Sequence, residues 1–220
     1  MTLPTPARER NAPHGPQRLV DVRGLSRRFG EREVISRLDL GLADGDRVAL
    51  WGPNGSGKTT VLRCLAGTLD PSGGEATIGG HPAGSLAARR LVGVSLSQER
   101  SFYMRLSARD NLLFFARLRG DSSRSAKRAV RRLEEELELS EILAERADRC
   151  SSGMLQQLAL ARALLGEPRL LLLDEPTRSL DAAAAERLWS ALERRPCALL
   201  LATHRAEDLE HCDRRVELPT

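Results

Sequence analysis

The fold is decided by the stretch Gly52-Pro53-Asn54-Gly55-Ser56-Gly57-Lys58-Thr59-Thr60, which matches G-x-x-x-x-G-K-[ST] at every fixed position. The apolar residues 47–51 before it predict a short buried strand, and the spacing of apolar residues over 60–66 predicts a helix after it. Glycines let the backbone curl so that several N–H groups point at a polyphosphate, and the helix adds its positive end. The stretch therefore predicts a phosphate-binding loop.

Lys58 and Thr59 are the residues of this loop that carry chemistry. The lysine is expected to reach the β- and γ-phosphates of a nucleotide, and the threonine hydroxyl is expected to ligate Mg²⁺. The chain has 34 lysines and arginines, and among them only Lys58 and Lys127 are lysines. A compact ammonium has been kept here because a guanidinium fork would not fit. The alternative is a glycine-rich turn without a ligand, and the strand and helix on either side make it the weaker one.

Composition indicates one globular domain that has room for an inserted subdomain. The 220 residues are 41% hydrophobic, and the apolar runs at 170–173 and 198–202 are strand-sized, far too short to cross a bilayer. The net charge is +4, but basic and acidic residues alternate, so a solvated arginine-rich surface is favoured and no nucleic acid is expected as a partner. The four cysteines form no C-x-x-C pair, which is typical of a reduced cytoplasmic protein. Because the histidines are scattered as well, no metal site made of cysteine and histidine is expected. Residues 1–17 contain four prolines and predict a disordered tail.

Strands and helices alternate along most of the chain. An edge strand is expected at 19–22, short strands at 34–35 and 38–40, and buried strands at 91–96, 169–173 and 197–202. Such alternation predicts an α/β fold with a parallel, doubly wound sheet whose ligand lies at the carboxyl ends of the strands. The chain from 99 to 150 is different, because its apolar spacing is helical and it contains no convincing strand.

This helical stretch holds four of the seven aromatic residues. A helix from Ser107 to Arg119 is expected, and a second helix would bury Val130, Leu133 and Leu137 while its four glutamates, 134–136 and 138, face solvent. The aromatics are Phe102, Tyr103, Phe114 and Phe115. The core could contain all four, yet residues 101–104 look like a loop, where exposed apolar side chains often mark a contact surface.

Polar residues at strand ends complete the candidate site. Asp174, at the end of an apolar strand, can hold Mg²⁺ through water, and Glu175 is placed to orient or deprotonate an attacking water. A carboxylate pair that merely caps the next turn would leave two acids at a buried strand end unexplained. Thr203-His204 end another apolar strand. Phe29 lies upstream of the loop, where its ring could stack on a base or belong to the core, and the residues alone do not decide between these.

Taken in order, these features resemble the ATP-binding subunit of an ABC transporter, from about Leu19 to Val216. The resemblance assigns Phe29 to the adenine, Gln98 to Mg²⁺ and water, Asp174-Glu175 to the Walker B pair, and His204 to the γ-phosphate. It further assigns Ser151-Ser152-Gly153 to the family signature and Ser179-Leu180-Asp181 to the dimer-contact loop. A P-loop NTPase core with a mostly parallel sheet is therefore implied, together with a small antiparallel β subdomain and an inserted α-helical subdomain. The implied ATPase domain covers 18–218, and the implied helical subdomain covers about 99–152.

The same resemblance implies ATP and Mg²⁺ as cofactors and two kinds of partner. In the family two ATP-binding subunits pack head to tail, so Ser151 and Gly153 would contact the γ-phosphate held by Lys58 of the other chain, in a homodimer or a pseudo-dimer. A transmembrane permease subunit would hold the chain at the inner face of the membrane. The signature usually has Gly and Gln where this chain has Ser152 and Met154, and exporter-like members accept this variant, which favours export.

Two other functions compete with a transport motor. One is a soluble ABC-type ATPase that acts on ribosomes or DNA, although such relatives carry two nucleotide domains, long coiled-coil insertions or zinc clusters. The other is a regulator that binds nucleotide without hydrolysing it, and the presence of Glu175 and His204 argues against this. The chain stops at Thr220, so short final strands and no C-terminal regulatory domain are expected.

Overall fold

The computed structural model describes residues 18–96 and 102–218. The strands are β1 (Val20–Phe29), β2 (Arg32–Leu42), β3 (Arg47–Trp51), β4 (Gly73–Ile78), β5 (His81–Pro82), β6 (Val92–Ser95), β7 (Leu170–Asp174), β8 (Ala198–Thr203) and β9 (Arg214–Glu217). The α-helices are α1 (Lys58–Ala66), α2 (Leu86–Leu91), α3 (Ala108–Leu118), α4 (Ser123–Leu137), α5 (Ser140–Ala144), α6 (Ser152–Leu164), α7 (Ala182–Glu193) and α8 (Ala206–Leu209), with a 3-10 helix at Ala147–Arg149. The tail predicted at 1–17 and the predicted site residue Gln98 lie outside the described ranges.

Five parallel strands form the larger sheet, in the order β6-β7-β8-β3-β9. Along β7 the leucines alternate between two cores: Leu170 and Leu172 face the core that contains α1, and Leu171 and Leu173 face the core that contains α3, α4 and α6. Burial on both faces explains why this strand is apolar throughout. Each buried leucine contributes roughly 1.5–3 kcal/mol. The predicted parallel α/β sheet is confirmed.

The smaller sheet is antiparallel, in the order β2-β1-β4-β5. Because β1 lies between β2 and β4, the prediction of an edge strand at 19–22 is wrong. The apolar alternation of these residues shows that one face of the strand is buried, but it does not show how many strands pair with it. The strand also continues beyond residue 22 to Phe29, with register shifts at Gly24 (φ +57°) and beyond. The predicted segments at 34–35 and 38–40 form one strand, β2.

Helices α3 to α6 lie between β6 and β7. Ser107 caps α3, accepting from the Asp110 N–H at 3.0 Å, and the predicted apolar face of α4 is buried. The expectation that the glutamates of α4 all face solvent is wrong for Glu134 and Glu136, whose side chains are 16% exposed and form bidentate pairs with Arg109 and Arg195. The hydrogen bonds from Arg109 lower the pKa of Glu134 below its ordinary value.

Residue periodicity did not indicate helix α2 or the edge strands β5 and β9. Helix α2 occupies residues that include the expected start of the 91–96 strand, and β9 pairs in parallel with β3 at the edge of the larger sheet. The partly exposed sequence of β9 has no apolar run, so periodicity did not indicate a strand. Across residues 18–96 and 102–218, no helix combines the length and apolar character needed to cross a bilayer. The division into an ATPase domain and a helical subdomain stays a prediction.

Candidate functional site

The glycine-rich loop joins β3 to α1 at the carboxyl edge of the larger sheet. Gly57 caps the helix with φ +93°, and a Cβ atom there would lie 2.8 Å from the Val34 carbonyl oxygen, so only glycine fits. The Ser56 N–H donates to the Pro53 carbonyl at 3.3 Å and closes the turn. The helix begins at Lys58, two residues earlier than predicted, which places the lysine in its first turn.

Lys58 is buried and folds over its own loop. Its Nζ donates to the carbonyl oxygens of Gly52 at 2.6 Å and Pro53 at 3.0 Å. An ammonium has three donors, so this arrangement leaves one for an anion. The Ser56 hydroxyl is also buried, and it has no hydrogen-bond partner within the described parts of the chain. The loop thus presents donor groups beside the positive end of α1.

A cavity of about 750 Å³ opens beside the loop and brings most of the predicted residues together. The predicted residues that line it are Phe29, Asn54, Gly55, Gly57, Lys58, Thr59, Thr60, Asp174, Glu175 and His204. Sequence reasoning missed four others, Arg32, Val34, Arg178 and Arg205. Arg205 directly follows His204 and Arg178 lies three residues after Glu175, so proximity in sequence was the signal that could have found these two.

Thr59 and Asp174 meet across the sheet. The Thr59 hydroxyl donates to Asp174 Oδ2 at 2.9 Å. Thr59 follows β3 and Asp174 ends β7, so this bond spans β8, which lies between the two strands. Asp174 is nearly fully buried at the end of β7. A hydroxyl and a carboxylate in contact provide the oxygen ligands that Mg²⁺ prefers.

Glu175 is held by its backbone and one carboxylate oxygen. Its φ is +49°, which is uncommon for a non-glycine residue, and its N–H donates to the Ala202 carbonyl at 2.8 Å. Its Oε1 lies 2.6 Å from His204 Nδ1. Its Oε2 is buried, and among the described residues it has no hydrogen-bond partner. Because Glu175 lines the cavity, this oxygen is a candidate acceptor from a water or a substrate.

Phe29 extends into the cavity from the end of β1. It is 47% exposed, and the Arg27 guanidinium carbon lies 4.4 Å from its ring centroid. A phenylalanine of the core would be buried, so the exposed ring agrees with the base-stacking alternative. That role stays a prediction.

The signature residues lie apart from this cavity. Ser151 caps α6, its Oγ accepting from the Met154 N–H at 3.2 Å, while Met154 Sδ accepts from the Ser151 N–H at 3.5 Å. Methionine thus completes the reciprocal cap that a glutamate or glutamine side chain usually makes at this position. A Cβ atom on Gly153 would lie 2.6 Å from the Ser179 carbonyl oxygen, so glycine is needed where the signature touches the 177–181 turn. Neither Ser151 nor Gly153 lines the cavity of its own chain.

Known proteins with similar sequences and folds agree with this geometry. The ABC transporter family model matches residues 35–178. The Nod factor export ATP-binding protein I of Rhizobium sp. (strain N33) is 37% identical over 201 residues, covering 89% of this chain and 66% of that protein. Its counterpart in Bradyrhizobium diazoefficiens is 38% identical, covering 89% and 65%. The chain therefore spans slightly less than two thirds of the length of these curated relatives.

Solved structures give the same result. The ATP-binding subunit of an ABC transporter superimposes with a TM-score of 0.82 at 28% identity, covering 91% of this chain and 85% of that chain. A dimeric ATP-binding cassette in a post-hydrolysis state, bound to ADP and Pi, has a TM-score of 0.81 at 23% identity, covering 90% and 94%, and this likeness concerns the fold. The family model alone covers well over half of the chain, and the chain therefore belongs to the ABC transporter family, as an ATP-binding cassette.

Proposed function

We propose that the chain hydrolyses ATP and thereby powers a separate membrane subunit, in the direction of export. The observation that supports hydrolysis is the geometry of Glu175, a residue that lines the cavity: its Oε1 is engaged by His204, while its buried Oε2 has no hydrogen-bond partner among the described residues. A purely binding site needs no such oxygen. A hydrolytic site needs one to orient and deprotonate the attacking water.

The other residues of the cavity then have distinct tasks. Lys58 and the loop N–H groups bind the β- and γ-phosphates and offset their charge. His204 holds Glu175 through Nδ1 and contacts the γ-phosphate with the rest of its half-exposed ring. Phe29 stacks on the adenine. Thr59 and Asp174 would hold Mg²⁺, which would supply positive charge to neutralise the charge that develops on the phosphates. Gln98 is proposed to contact Mg²⁺ and water.

Glu175→Gln tests the hydrolytic role. The amide keeps the shape of the side chain but is a poor base, so turnover is expected to fall ~10²–10⁴-fold while ATP binding is retained. Phosphate release and ATP binding are measured on the same preparations. Glu186→Gln, an exposed position on α7, is the matched control. Turnover at the wild-type rate in Glu175→Gln would contradict the assignment.

The site is proposed to be completed by a second ATP-binding subunit, an identical chain or a related one. Ser151 and Gly153 do not line the cavity of their own chain, so in the proposed dimer they reach nucleotide held by the other chain. The N-terminus of α6, a helix of 13 residues, would then face the γ-phosphate with its positive end. The dimeric solved cassettes support this arrangement.

The membrane subunit is proposed to dock on an aromatic patch formed by Tyr103, Met104, Leu106 and Phe114. These four side chains are all exposed, and the rings of Tyr103 and Phe114 pack edge to face with centroids 4.8 Å apart. Asn111, fully buried, fixes the segment by accepting from the Tyr103 N–H at 2.8 Å and donating to its carbonyl oxygen at 3.1 Å. A preformed apolar surface of this kind binds a partner with little ordering cost.

Phe102 differs from the patch residues. It is half-buried, packs against the core of the helical stretch and contacts Phe115 edge to face at 6.1 Å, with Arg162 above its ring. The two aromatics of the 101–104 loop are thus divided between core and surface, and only Tyr103 belongs to the proposed docking surface. A cytoplasmic helix of a permease subunit is the proposed occupant, which would hold the chain at the inner face of the membrane. The names of the export relatives support the direction of transport.

A further inference from the structure

The parallel ladder between β7 and β8 ends where the catalytic chemistry is proposed to begin. Asp174 pairs with Ala202 in the ladder, and the Glu175 N–H makes the next backbone hydrogen bond, to the Ala202 carbonyl. Beyond these residues the two strands turn away into the segments 176–181 and 204–209. Glu175 and His204 sit at the start of these segments, so their mutual position depends on what holds the turns together.

Asp208 joins the two turns with a single buried carboxylate. Its Oδ1 accepts from the Thr177 hydroxyl at 2.7 Å, and its Oδ2 accepts from the Thr203 hydroxyl at 2.6 Å. Asp208 is 1% exposed, and both threonines are buried. Hydrogen bonds to an ionised acceptor are roughly twice as strong as neutral ones, and a low-dielectric surrounding strengthens them further. The carboxylate therefore continues, through side chains, the pairing that the backbone has ended.

Arg205 adds a second connection between the same turns. Its N–H donates to the Thr203 hydroxyl oxygen at 3.1 Å, and its Nη1 donates to the Thr177 carbonyl oxygen at 3.3 Å. Gln156 of α6 holds the 176–181 turn from the other side, donating to the Pro176 carbonyl oxygen at 3.2 Å. Thr177 is thus held through its hydroxyl, bound to Asp208, and its carbonyl oxygen, bound to Arg205.

The backbone of Glu175 needs such support. A φ of +49° costs a non-glycine residue free energy, and it persists when the surrounding structure determines it. The hydrogen bond to Ala202 fixes Glu175 on the amino side, and Thr177, two residues later, fixes the carboxyl side. His204 is likewise placed next to Thr203. Both residues of the 2.6 Å Glu175–His204 contact therefore have a neighbour bound to Asp208.

We propose that Asp208 is a positioning residue for ATP hydrolysis, which holds Glu175 and His204 in register by tying Thr177 to Thr203. This inference rests on the proposed function, because it assigns to Asp208 an effect on turnover that passes through Glu175. Asp208 does not line the nucleotide cavity, so its loss is expected to change the rate of hydrolysis more than the binding of ATP.

The test compares isosteric variants by steady-state kinetics and thermal unfolding. Asp208→Asn keeps the volume but can accept from only one threonine, and kcat is expected to fall about tenfold or more, since small misplacements of reacting groups cost up to ~10²-fold. KM is expected to stay within about threefold, the signature of a loss felt mainly in the transition state. Thr177→Val removes only the hydroxyl and is expected to lower kcat similarly, whereas Thr177→Ser, which keeps it, loses several-fold less.

Asp213→Asn is the matched control. The Asp213 carboxylate also accepts a hydrogen bond, in this case from the Arg47 backbone N–H at 2.8 Å, but at the opposite edge of the sheet from the cavity. The kcat of the Asp213→Asn variant is expected to equal that of wild type. In a Glu175→Gln background, Asp208→Asn is expected to lower the residual rate no further, because effects that act through one group are not additive.

Three results would overturn the role of Asp208. They are a kcat for Asp208→Asn within about twofold of wild type, an equal loss in Thr177→Ser and Thr177→Val, and a full additional loss in the Glu175→Gln background. The single variant Glu175→Gln separates this inference from the proposed function. If Glu175→Gln is inactive while Asp208→Asn turns over normally, only the role of Asp208 fails. If Glu175→Gln turns over normally, the hydrolytic role of Glu175 is contradicted, and so is the role of Asp208, because that role acts through Glu175.

Discussion

Around the nucleotide cavity Lys58, Asp174 and Glu175 are buried and hydrogen-bonded within the chain, whereas at the aromatic patch large apolar side chains face outward. Asp174 contacts Thr59, and Glu175 contacts His204, with distances of 2.9 and 2.6 Å. Tyr103, by contrast, is 51% exposed beside an exposed Phe114. The difference separates chemistry that one chain positions by itself from surfaces that, in the proposed function, a partner completes. The signature at Ser151 belongs with the second group, because Ser151 is exposed and does not line the cavity of its own chain.

The largest effect is expected when two defective chains are mixed, which tests whether a second chain completes the site. Lys58→Ala loses charge-assisted contacts to phosphate, worth ~1.5–3 kcal/mol each, and Ser151→Arg blocks the surface that the other chain's nucleotide would meet. Each variant alone is expected to be inactive. A heterodimer of the two contains one site with an intact Lys58 and an intact Ser151, so a one-to-one mixture is expected to recover about a quarter of wild-type ATPase activity.

The control for Ser151→Arg is Ser122→Arg. Ser122 caps α4 as Ser151 caps α6, accepting from the Ser125 N–H at 3.1 Å, so it loses a comparable helix cap at a position outside the cavity. Mixing it with Lys58→Ala separates helix destabilisation from a blocked interface. A mixture of Lys58→Ala and Ser151→Arg that is no more active than its components would indicate a site closed within one chain.

The residues around the nucleotide cavity were largely predictable from sequence. The glycine pattern, the apolar strand that ends in Asp174-Glu175, and Thr203-His204 are local signals, and the parallel sheet brings them to one edge. Asp208 was missed because its partners lie 31 and 5 residues away and its own segment is polar, with nothing to distinguish a buried acid from an exposed one. Sequence periodicity shows which face is apolar, but it does not show which polar side chains a neighbouring turn will cover.

For the aromatic patch, the sequence predicted only a pair of alternatives. Sequence placed four aromatics in one stretch and left core and contact surface open. The structure buries part of Phe102 and exposes Tyr103, although the two are adjacent, because Phe102 packs on Phe115 beneath Arg162 while Tyr103 is turned outward by its backbone bonds to Asn111. The direction of neighbouring side chains in an irregular segment depends on such tertiary contacts, which a pattern of residue types does not contain.

An intermediate effect is expected when the aromatic patch is made polar. Tyr103→Asp combined with Phe114→Asp removes apolar area worth roughly 1.5–3 kcal/mol per side chain, enough to weaken docking about tenfold or more. With a permease partner co-expressed, wild type is expected with the membranes and the double variant in the soluble fraction, while ATP binding is kept. Leu86→Asp, an exposed apolar position on α2, is the control. Unchanged membrane recovery would remove the patch from the contact surface, and lost ATP binding would show that these rings stabilise the fold.

The smallest expected effect concerns an ion pair that positions one helix on another, away from either functional surface. Arg109 of α3 binds Glu134 of α4 through two hydrogen bonds, at 2.8 and 2.5 Å, and these lower the pKa of Glu134 in the folded chain. A carboxyl whose pKa is lower when folded stabilises the fold above its unfolded pKa of about 4.3 and loses this contribution as the pH falls through the folded value. The thermal midpoint of Glu134→Gln should therefore depend less on pH than that of wild type between pH 7 and 3.

The expected difference is small, because a partly exposed pair contributes up to about 1 kcal/mol, or ~2–4 °C for a chain of this size. Glu135→Gln is the matched control on the same helix, since Glu135 is 65% exposed and its pair with Arg131 is solvated. It should follow the wild-type pH curve. Glu134→Gln should lie below wild type at pH 7, and the difference should shrink as the pH falls below the unfolded pKa, since protonation progressively removes the charge on which the pair depends. Parallel curves for wild type and Glu134→Gln over the whole range would show that the pair contributes nothing to stability.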